Sequence, residues 1–289
     1  MEVRPRIFTL ALILCWCWAA PCPAQSFKYG PVQTIEWLAA DADVVVHATI
    51  LDVILRQDSY WTRARARSIE AIKGEVPKEF EFAVHGETKL LSRYRGREVL
   101  LFLRAKERHS SQQDDPSPST RVLPHLTFGW AVIGLDENPN DFAVTMDFAV
   151  LTRPGPILEA ARSGVKHSSG RPRPKSYQVI TVPSGTEIGE RVNGFNGPSM
   201  TLPLDDRLEP KALEWVRSPN PDIRLEGVVA LRRFRSEGNI AVLKALLSDP
   251  YCSGGRYHVR TGAFNVLTGW GIECGRPVLD LPRPPDRRP

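Results

Sequence analysis

The sequence predicts an α+β protein in which a small β barrel precedes a short segment of helical repeats. Between residues 44 and 151, short apolar segments alternate with turn signals at the intervals typical of a small barrel. From about Leu208 the apolar residues recur with a helical period instead. The chain of 289 residues is long enough to form one or two domains with hydrophobic cores.

The composition is that of an ordinary globular protein with a mild positive charge. Hydrophobic residues make up 42% of the chain and charged residues 25%, and both are usual values. A formal net charge of +5 permits an anionic partner but does not require one.

Residues 1–24 are predicted to be a cleavable secretory signal. Arg4 and Arg6 form a short positive segment, residues 7–20 form an apolar run, and a helix-breaking segment ends at Ala24. The apolar run is shorter than the roughly 20 residues that a membrane-spanning helix needs. We therefore expect export to the periplasm or the extracellular space after cleavage near Ala24, with no transmembrane segment in the mature chain.

Two other interpretations of this first segment stay open. One is an uncleaved membrane anchor. The other is a lipoprotein modified at Cys22, although Pro21 is a poor neighbour for a lipidated cysteine. Both would hold the chain at a membrane, whereas cleavage would release it.

The cysteine content agrees with export. Three of the five cysteines lie in the predicted signal, which leaves Cys252 and Cys274 as an even pair in an oxidising compartment. A disulfide between them would close a loop of about 22 residues and would stabilise the fold by roughly 3 kcal/mol. Two buried free thiols are the alternative.

The first half of the predicted barrel has clear element signals. Residues 31–40 form an amphipathic pattern with proline at its start, which predicts a short helix. Apolar residues then alternate along residues 44–50, 60–72 and 80–84, as in half-buried strands. Residues 99–103 are continuously apolar, which predicts a strand buried on both faces.

The second half of the predicted barrel is more irregular. Residues 109–121 have a polar composition and are predicted to be an exposed loop. Strands are expected near residues 128–135 and 141–151, separated by a turn at residues 136–140. A helix is expected from residue 156 to residue 162.

Three segments carry a resemblance to a known type of barrel. They are ADVVVHATILDV at residues 42–53, RARSIEAIKGEVPKEFEF at residues 65–82 and GREVLLFL at residues 96–103. Together they resemble the oligonucleotide/oligosaccharide-binding (OB) barrel, in particular its exported netrin-like and tissue-inhibitor-like form. The resemblance covers about residues 31–150 and implies an OB-like β-barrel domain.

The inhibitory chemistry of that class is not carried over with the fold. Its eukaryotic inhibitors begin with a disulfide-bonded cysteine that coordinates a protease metal. This chain has no cysteine between Gln25 and Tyr251.

The helical segment resembles HEAT-type repeats. Residues 222–231 look like the second half of such a repeat, residues 239–250 fit the next helix, and residues 258–267 repeat the first with an offset of 36 residues. The resemblance implies that Arg224 and Arg260, which this offset aligns, have a structural role across the helix pair. Because a solenoid usually needs about three repeats to bury its faces, we expect these helices to pack on the preceding strands.

The predicted organisation therefore has five parts. They are a signal peptide at residues 1–24, an OB-like β-barrel domain at 25–165, a linker with possible short strands at 166–207, a HEAT-like helical segment at 208–275 and a disordered Pro/Arg-rich tail at 276–289. Strands are expected in the linker at residues 177–182 and 199–204. This combination also resembles uncharacterised exported bacterial proteins, a resemblance that implies an architecture and no reaction.

The sequence favours a binding module over an enzyme. It contains none of the common catalytic or metal-binding spacings, so no cofactor and no metal site is predicted. Arg63, Arg65 and Arg67 alternate with alanines, which places three guanidinium groups on one face of a strand. This arginine row is the candidate binding site for an unknown protein or an anionic envelope component. A solvated strand face is the alternative, and nucleic acid is not expected outside the cytoplasm.

Two further functions are alternatives to the binding module. The barrel resemblance suggests an inhibitor or regulator of an envelope protease, by fold analogy alone. A hydrolase with a dispersed active site would draw on His47, Asp52 or His85.

The first prediction concerns processing of the amino terminus. Mature protein purified from the exported fraction should begin near Gln25, because the small residue Ala24 ends the predicted cleavage segment. Amino-terminal sequencing or intact mass measures this directly. A chain that keeps Met1 and stays with the membrane would instead establish an uncleaved anchor.

Overall fold

Eleven strands and seven helices lie in the part of the chain that the computed structural model describes. That part is residues 32–54, 61–85, 91–105, 120–122, 132–136, 141–173, 176–183, 186–191 and 199–280. The predicted α+β class is confirmed. The predicted signal peptide lies outside the described residues, as do residues 281–289 of the predicted tail.

The strands occupy both halves of the chain. They are β1 (Val32–Gln33), β2 (Val44–Ile54), β3 (Trp61–Lys73), β4 (Glu79–His85), β5 (Glu98–Ala105), β6 (Thr120–Val122), β7 (Val132–Gly134), β8 (Ala143–Val144), β9 (Val150–Leu151), β10 (Tyr177–Thr181) and β11 (Ser199–Pro203).

The helices are concentrated after residue 153. They are α1 (Ile35–Asp41), α2 (Pro154–Ser168), α3 (Glu187–Arg191), α4 (Leu208–Trp215), α5 (Pro221–Leu231), α6 (Glu237–Leu246) and α7 (His258–Gly269). No helix within the described ranges has both the length and the apolar character needed to cross a membrane.

Strands β2 to β7 form one sheet with the order β2-β3-β4-β6-β5-β7. Strand β2 pairs antiparallel with β3 on one edge and with β5 on the other. Strands β4 and β6 pair in parallel through Ala83 and Arg121. The finer prediction of an OB-like barrel stays a prediction.

The first hydrophobic core lies between this sheet and helices α1 and α2. Residues 99–103 of β5 have no exposed surface, so the predicted burial of this strand on both faces is confirmed. Helix α1 begins after Thr34, whose hydroxyl accepts a hydrogen bond from Trp37 N, and not at residue 31 as predicted. The two helices cross closely, because a Cβ added to Gly164 would lie 2.9 Å from Ala39 Cβ.

A second, three-stranded sheet has the order β1-β11-β10. Strand β1 runs parallel to β11, and β10 pairs antiparallel with it through Tyr177–Thr181. Both strands expected in the segment 166–207 are therefore present. Strand β1 was not predicted, because a two-residue strand has no periodicity to detect.

The second hydrophobic core joins this small sheet to the helical segment. Ile180, Met200 and Leu202 on one face of the sheet pack with fully buried residues of α4 to α7, such as Leu231 and Leu267. The expectation that the helices pack on the preceding strands is confirmed. The prediction of HEAT-like repeats stays a prediction.

Residues 141–151 differ from their prediction as one strand. They form the short hairpin of β8 and β9, because Thr145 N donates to Ala149 O and Phe148 N donates to Thr145 O in the intervening turn. Phe148 adopts a φ of 58° there and packs on Trp215 with ring centroids 5.2 Å apart. The hairpin therefore carries an aromatic side chain into the second core.

Several element boundaries also differ from the sequence predictions. Helix α2 extends beyond the expected residues 156–162 in both directions, and α3 was not expected. Thr120 and Arg121, assigned to the loop at 109–121, belong to β6 because they pair with β5. Residues 106–119 of that loop lie outside the described ranges.

Glu226 connects the helical segment to the edge of the small sheet. It lies on α5 with 7% exposed surface, and its Oε2 accepts a hydrogen bond from Thr181 N at 3.2 Å. Burial raises the pKa of Glu226 to about 7, and the nearby Asp222 adds to this, although the hydrogen bond from Thr181 opposes it. In the folded protein the carboxyl group of Glu226 is therefore mostly protonated below about pH 7.

The second prediction follows from this shift. A carboxyl group whose pKa is raised on folding makes the fold less stable as the pH rises from 4.5 to about 7. Glu226→Gln removes this dependence, so the variant should gain roughly 3 kcal/mol over the wild type between pH 4 and pH 8. Urea unfolding of both proteins at several pH values measures the difference. A difference that is constant with pH would contradict the prediction.

Candidate functional site

The arginine row (Arg63, Arg65 and Arg67) lies on strand β3 as the alternation predicted. Ala64 and Ala66 between these residues are fully buried, whereas Arg65 and Arg67 are exposed and Arg63 is half-buried. The row therefore faces away from the first core.

Carboxylates on the neighbouring strands flank the arginine row. Arg67 Nη2 lies 3.0 Å from Glu79 Oε1 on β4. Arg65 stands opposite Asp52 on β2 and opposite Glu81 on β4, and directly opposed residues share a face of the sheet. This alternation of charge is typical of a solvated strand face. The binding role of the row stays a prediction.

A cleft of about 340 Å³ opens where the end of α1, the end of β3 and the segment after α2 meet. Three cationic side chains line it together with one carboxylate and two serines. We call it the cationic cleft and define it by its polar residues Asp43, Lys73, Ser168, Ser169, Arg171 and Arg173.

Lys73 forms the inner wall of the cationic cleft. It is the last residue of β3, and its Nζ donates to Ala39 O at 2.8 Å and to Ala40 O at 3.3 Å. It thereby satisfies carbonyl groups at the C-terminal end of α1, where a cation is favourable. Burial lowers the pKa of Lys73, and the positive charge of Arg173 lowers it further.

Gly74 lets the chain leave β3 beside the cleft. It has a φ of 69°, and a Cβ at this position would lie 2.8 Å from Asp43 O. A residue with a side chain would be strained here and would push on the backbone before β2. This glycine therefore fixes how closely Lys73 and Asp43 approach each other.

Two arginines form the outer wall of the cationic cleft. Arg173 is ion-paired with Asp43, and its Nε lies 4.0 Å from Asp41 Oδ1. Arg171 is ion-paired with Asp206, and its Nη1 lies 3.0 Å from His167 Nε2. Their side chains are 38% and 47% exposed, so both guanidinium groups are accessible from solvent.

His167, Asp205 and Asp206 lie close enough together to hold a metal ion, with one ligand atom from each within 4.8 Å of the others. Guanidinium groups already bind both carboxylates: Arg171 binds Asp206, and Arg207 Nε lies 3.1 Å from each oxygen of Asp205. A metal ion would have to displace these cations, because the group already forms an ion-pair network.

The hydrolase candidates have separate partners. His47 Nε2 lies 2.8 Å from Glu98 Oε2, whereas Asp52 Oδ1 accepts from Val53 N and lies 3.3 Å from Arg95 Nη2. The side chain of His85 lies outside the described part of the chain. The contacts of His47 and Asp52 therefore do not join them in one hydrogen-bonded group.

Arg224 and Arg260 both bind Asp249, which lies between α6 and α7. Arg224 Nε and Nη2 donate to the two carboxylate oxygens of Asp249 at 2.8 and 3.1 Å, and Nη1 donates to Ser218 O at 2.9 Å. Arg260 Nε donates to the main-chain oxygen of Asp249. These are the contacts that a structural role across the helix pair requires.

Cys252 and Cys274 are free, partly buried thiols in this structure. The disulfide predicted for the exported protein stays a prediction. Cys274 packs at the edge of the second core, where apolar neighbours partly shield its thiol from solvent.

Sequence analysis missed the cationic cleft because its residues come from three distant segments. Arg171 and Arg173 lie in a stretch predicted to be a linker, and Lys73 lies just after the strand predicted at residues 60–72. The one available signal was the alternation Arg171-Pro-Arg173 directly after a helix.

The third prediction concerns Asp249. Arg224→Met leaves a carboxylate with 5% exposed side chain without its bidentate partner, which should lower the free energy of unfolding by about 3 kcal/mol. Arg232→Met is the matched control: Arg232 is exposed, so this change should cost within about 0.5 kcal/mol. Chemical unfolding of the three proteins measures both values. Equal losses would refute a specific role for Arg224.

Comparison with known families and curated proteins found no match: no model of a protein family matches the chain, and no curated protein matches it. The functional argument therefore rests on the residues described above.

Proposed function

We propose that this chain is an exported, non-enzymatic binding module that holds an anionic component of the cell envelope in its cationic cleft. The observation that carries the proposal is the convergence of Lys73, Arg171 and Arg173, from separate segments, on one concave site. Clefts with a few convergent polar groups are the usual form of ligand sites.

The charge balance favours the cleft over the arginine row as the binding site. Among the described residues, three cations and one carboxylate line the cleft, and Asp206 pairs with Arg171 beside it. Arg65 and Arg67, by comparison, have Asp52, Glu79 and Glu81 opposite them on the adjacent strands. An anion at the row meets carboxylates on the strands directly opposite the exposed arginines, whereas one in the cleft meets more cations than carboxylates.

The proposed architecture is an OB-like barrel followed by a HEAT-like helical segment. The pairing of β2 with both β3 and β5, and of β6 with both β4 and β5, supports a five-stranded barrel. Helices α5 and α7 carry the 36-residue offset and bind Asp249 through aligned arginines, which supports the repeat. Such helices commonly present binding surfaces.

The fourth prediction tests the proposed function with cell envelopes of the source organism. The chain from Gln25 to Pro289, which keeps every described residue, should co-sediment saturably with envelopes. The double variant Arg171→Gln/Arg173→Gln should lose about tenfold or more in affinity, because charged hydrogen bonds are removed. The triple variant Arg63→Ala/Arg65→Ala/Arg67→Ala is the matched control and should bind like the wild type.

Each other outcome of this sedimentation experiment is informative. Binding lost in the triple variant but kept in the double variant would move the site to β3. Absence of saturable binding by the wild type would reject the binding module. Thermal melting of every variant separates loss of the site from loss of the fold.

A further inference from the structure

The cationic cleft has more hydrogen-bond donors than its protein partners use. Lys73 has three N–H donors, and two of them point to Ala39 O and Ala40 O. Arg171 makes its contacts through Nη1 alone, so its Nε and Nη2 have no hydrogen-bond partner among the described residues. These donors can bind an oxyanion without breaking an existing bond.

Arg173 supplies a second guanidinium group with an unused N–H donor. Its Nη2 donates to Asp43 and its Nε faces Asp41 at 4.0 Å, which leaves Nη1 without a hydrogen-bond partner in the described ranges. Arg171 and Arg173 are separated by one residue, and both line the cleft. A guanidinium fork matches the oxygens of a phosphate or carboxylate group.

Lys73 also removes an electrostatic obstacle to anion binding. The C-terminal end of a helix carries a partial negative charge, and that of α1 points to the cleft. By donating to Ala39 O and Ala40 O, Lys73 compensates these carbonyls at the inner wall. The positive charge of the arginines can then act on a ligand.

We propose that the cationic cleft binds a phosphate group carried by a small molecule or a lipid head group. This inference rests on the proposed function and specifies its ligand. Among the described residues at the cleft, the three cations outnumber the carboxylates of Asp43 and Asp206. This excess of positive charge matches a phosphate monoester, which carries about −1.5 to −2 charge at pH 7, better than a single carboxylate. A cleft of about 340 Å³ is at the lower end of the sizes known for ligand sites, which suits a compact group.

The fifth prediction is that the chain from Gln25 to Pro289 binds inorganic phosphate, which calorimetric titration measures. We expect one site per chain, and weaker binding of acetate than of phosphate. Arg173→Gln should weaken phosphate binding by about tenfold, because a charge-assisted hydrogen bond is lost. Arg65→Gln, on the exposed face of β3, is the matched control and should leave the affinity unchanged.

Asp43→Asn supplies a change of the opposite sign. It removes the carboxylate found among the described residues that line the cleft, and it breaks the ion pair between Arg173 and Asp43. Phosphate should then bind several times more tightly. A variant that merely disturbed the fold would not gain affinity, so this result separates recognition from structural damage.

Vesicles of phosphatidylcholine with and without phosphatidic acid distinguish the two sources of phosphate. Binding of inorganic phosphate in solution identifies a small-molecule ligand, and binding only to vesicles with phosphatidic acid identifies a head group. The proposal is overturned if neither binds, or if Arg173→Gln and Asp43→Asn leave the affinity unchanged. If the wild type binds envelopes but binds neither phosphate nor phosphatidic acid, this ligand is rejected and the proposed function stands.

Discussion

Strand β2 is paired along both edges, and the first half of the structure depends on this constraint. It pairs with β3 on one edge and with β5 on the other, and its residues Val45, Val46, Ala48 and Ile50 are completely buried. The same pairing sets Val45 opposite Lys73, at the end of β3. The register of one strand pair thus brings Asp43 and Lys73 to the same place and creates the inner wall of the cationic cleft.

The second half of the structure depends on mutual burial of two small units. A three-stranded sheet and four short helices each have too little apolar surface to be stable alone, and they share one core through Ile180, Met200 and Leu202. Glu226 adds a polar contact at the sheet edge, where the N–H of Thr181 would otherwise be unpaired. Burial of this carboxyl group makes the contact sensitive to protonation, which apolar packing alone would not be.

Positive charge has different roles in different parts of the molecule. Arg224 and Arg260 both bind Asp249, and Arg224 has most of its donors engaged. The two exposed arginines of the row stand opposite carboxylates on the adjacent strands, so these opposite charges largely cancel the electrostatic field of the row at a distance. In the cationic cleft, Lys73, Arg171 and Arg173 have donors without a hydrogen-bond partner among the described residues, and these three side chains line one concave space. The number of unengaged donors, and not the number of arginines, marks the cleft as the candidate site.

The sequence by itself determined the elements with strong periodicity, namely strands β2 to β5 and helices α4 to α7, since alternation and helical spacing record which faces are buried. The 36-residue offset aligned Arg224 with Arg260, and their structural role across the helix pair stays what the resemblance to HEAT-type repeats implies. Tertiary structure alone decided strand β1, the turn at Thr145–Phe148 and the cleft itself. These depend on contacts between residues far apart in the chain, such as Asp43 with Arg173, and local sequence carries no record of such contacts.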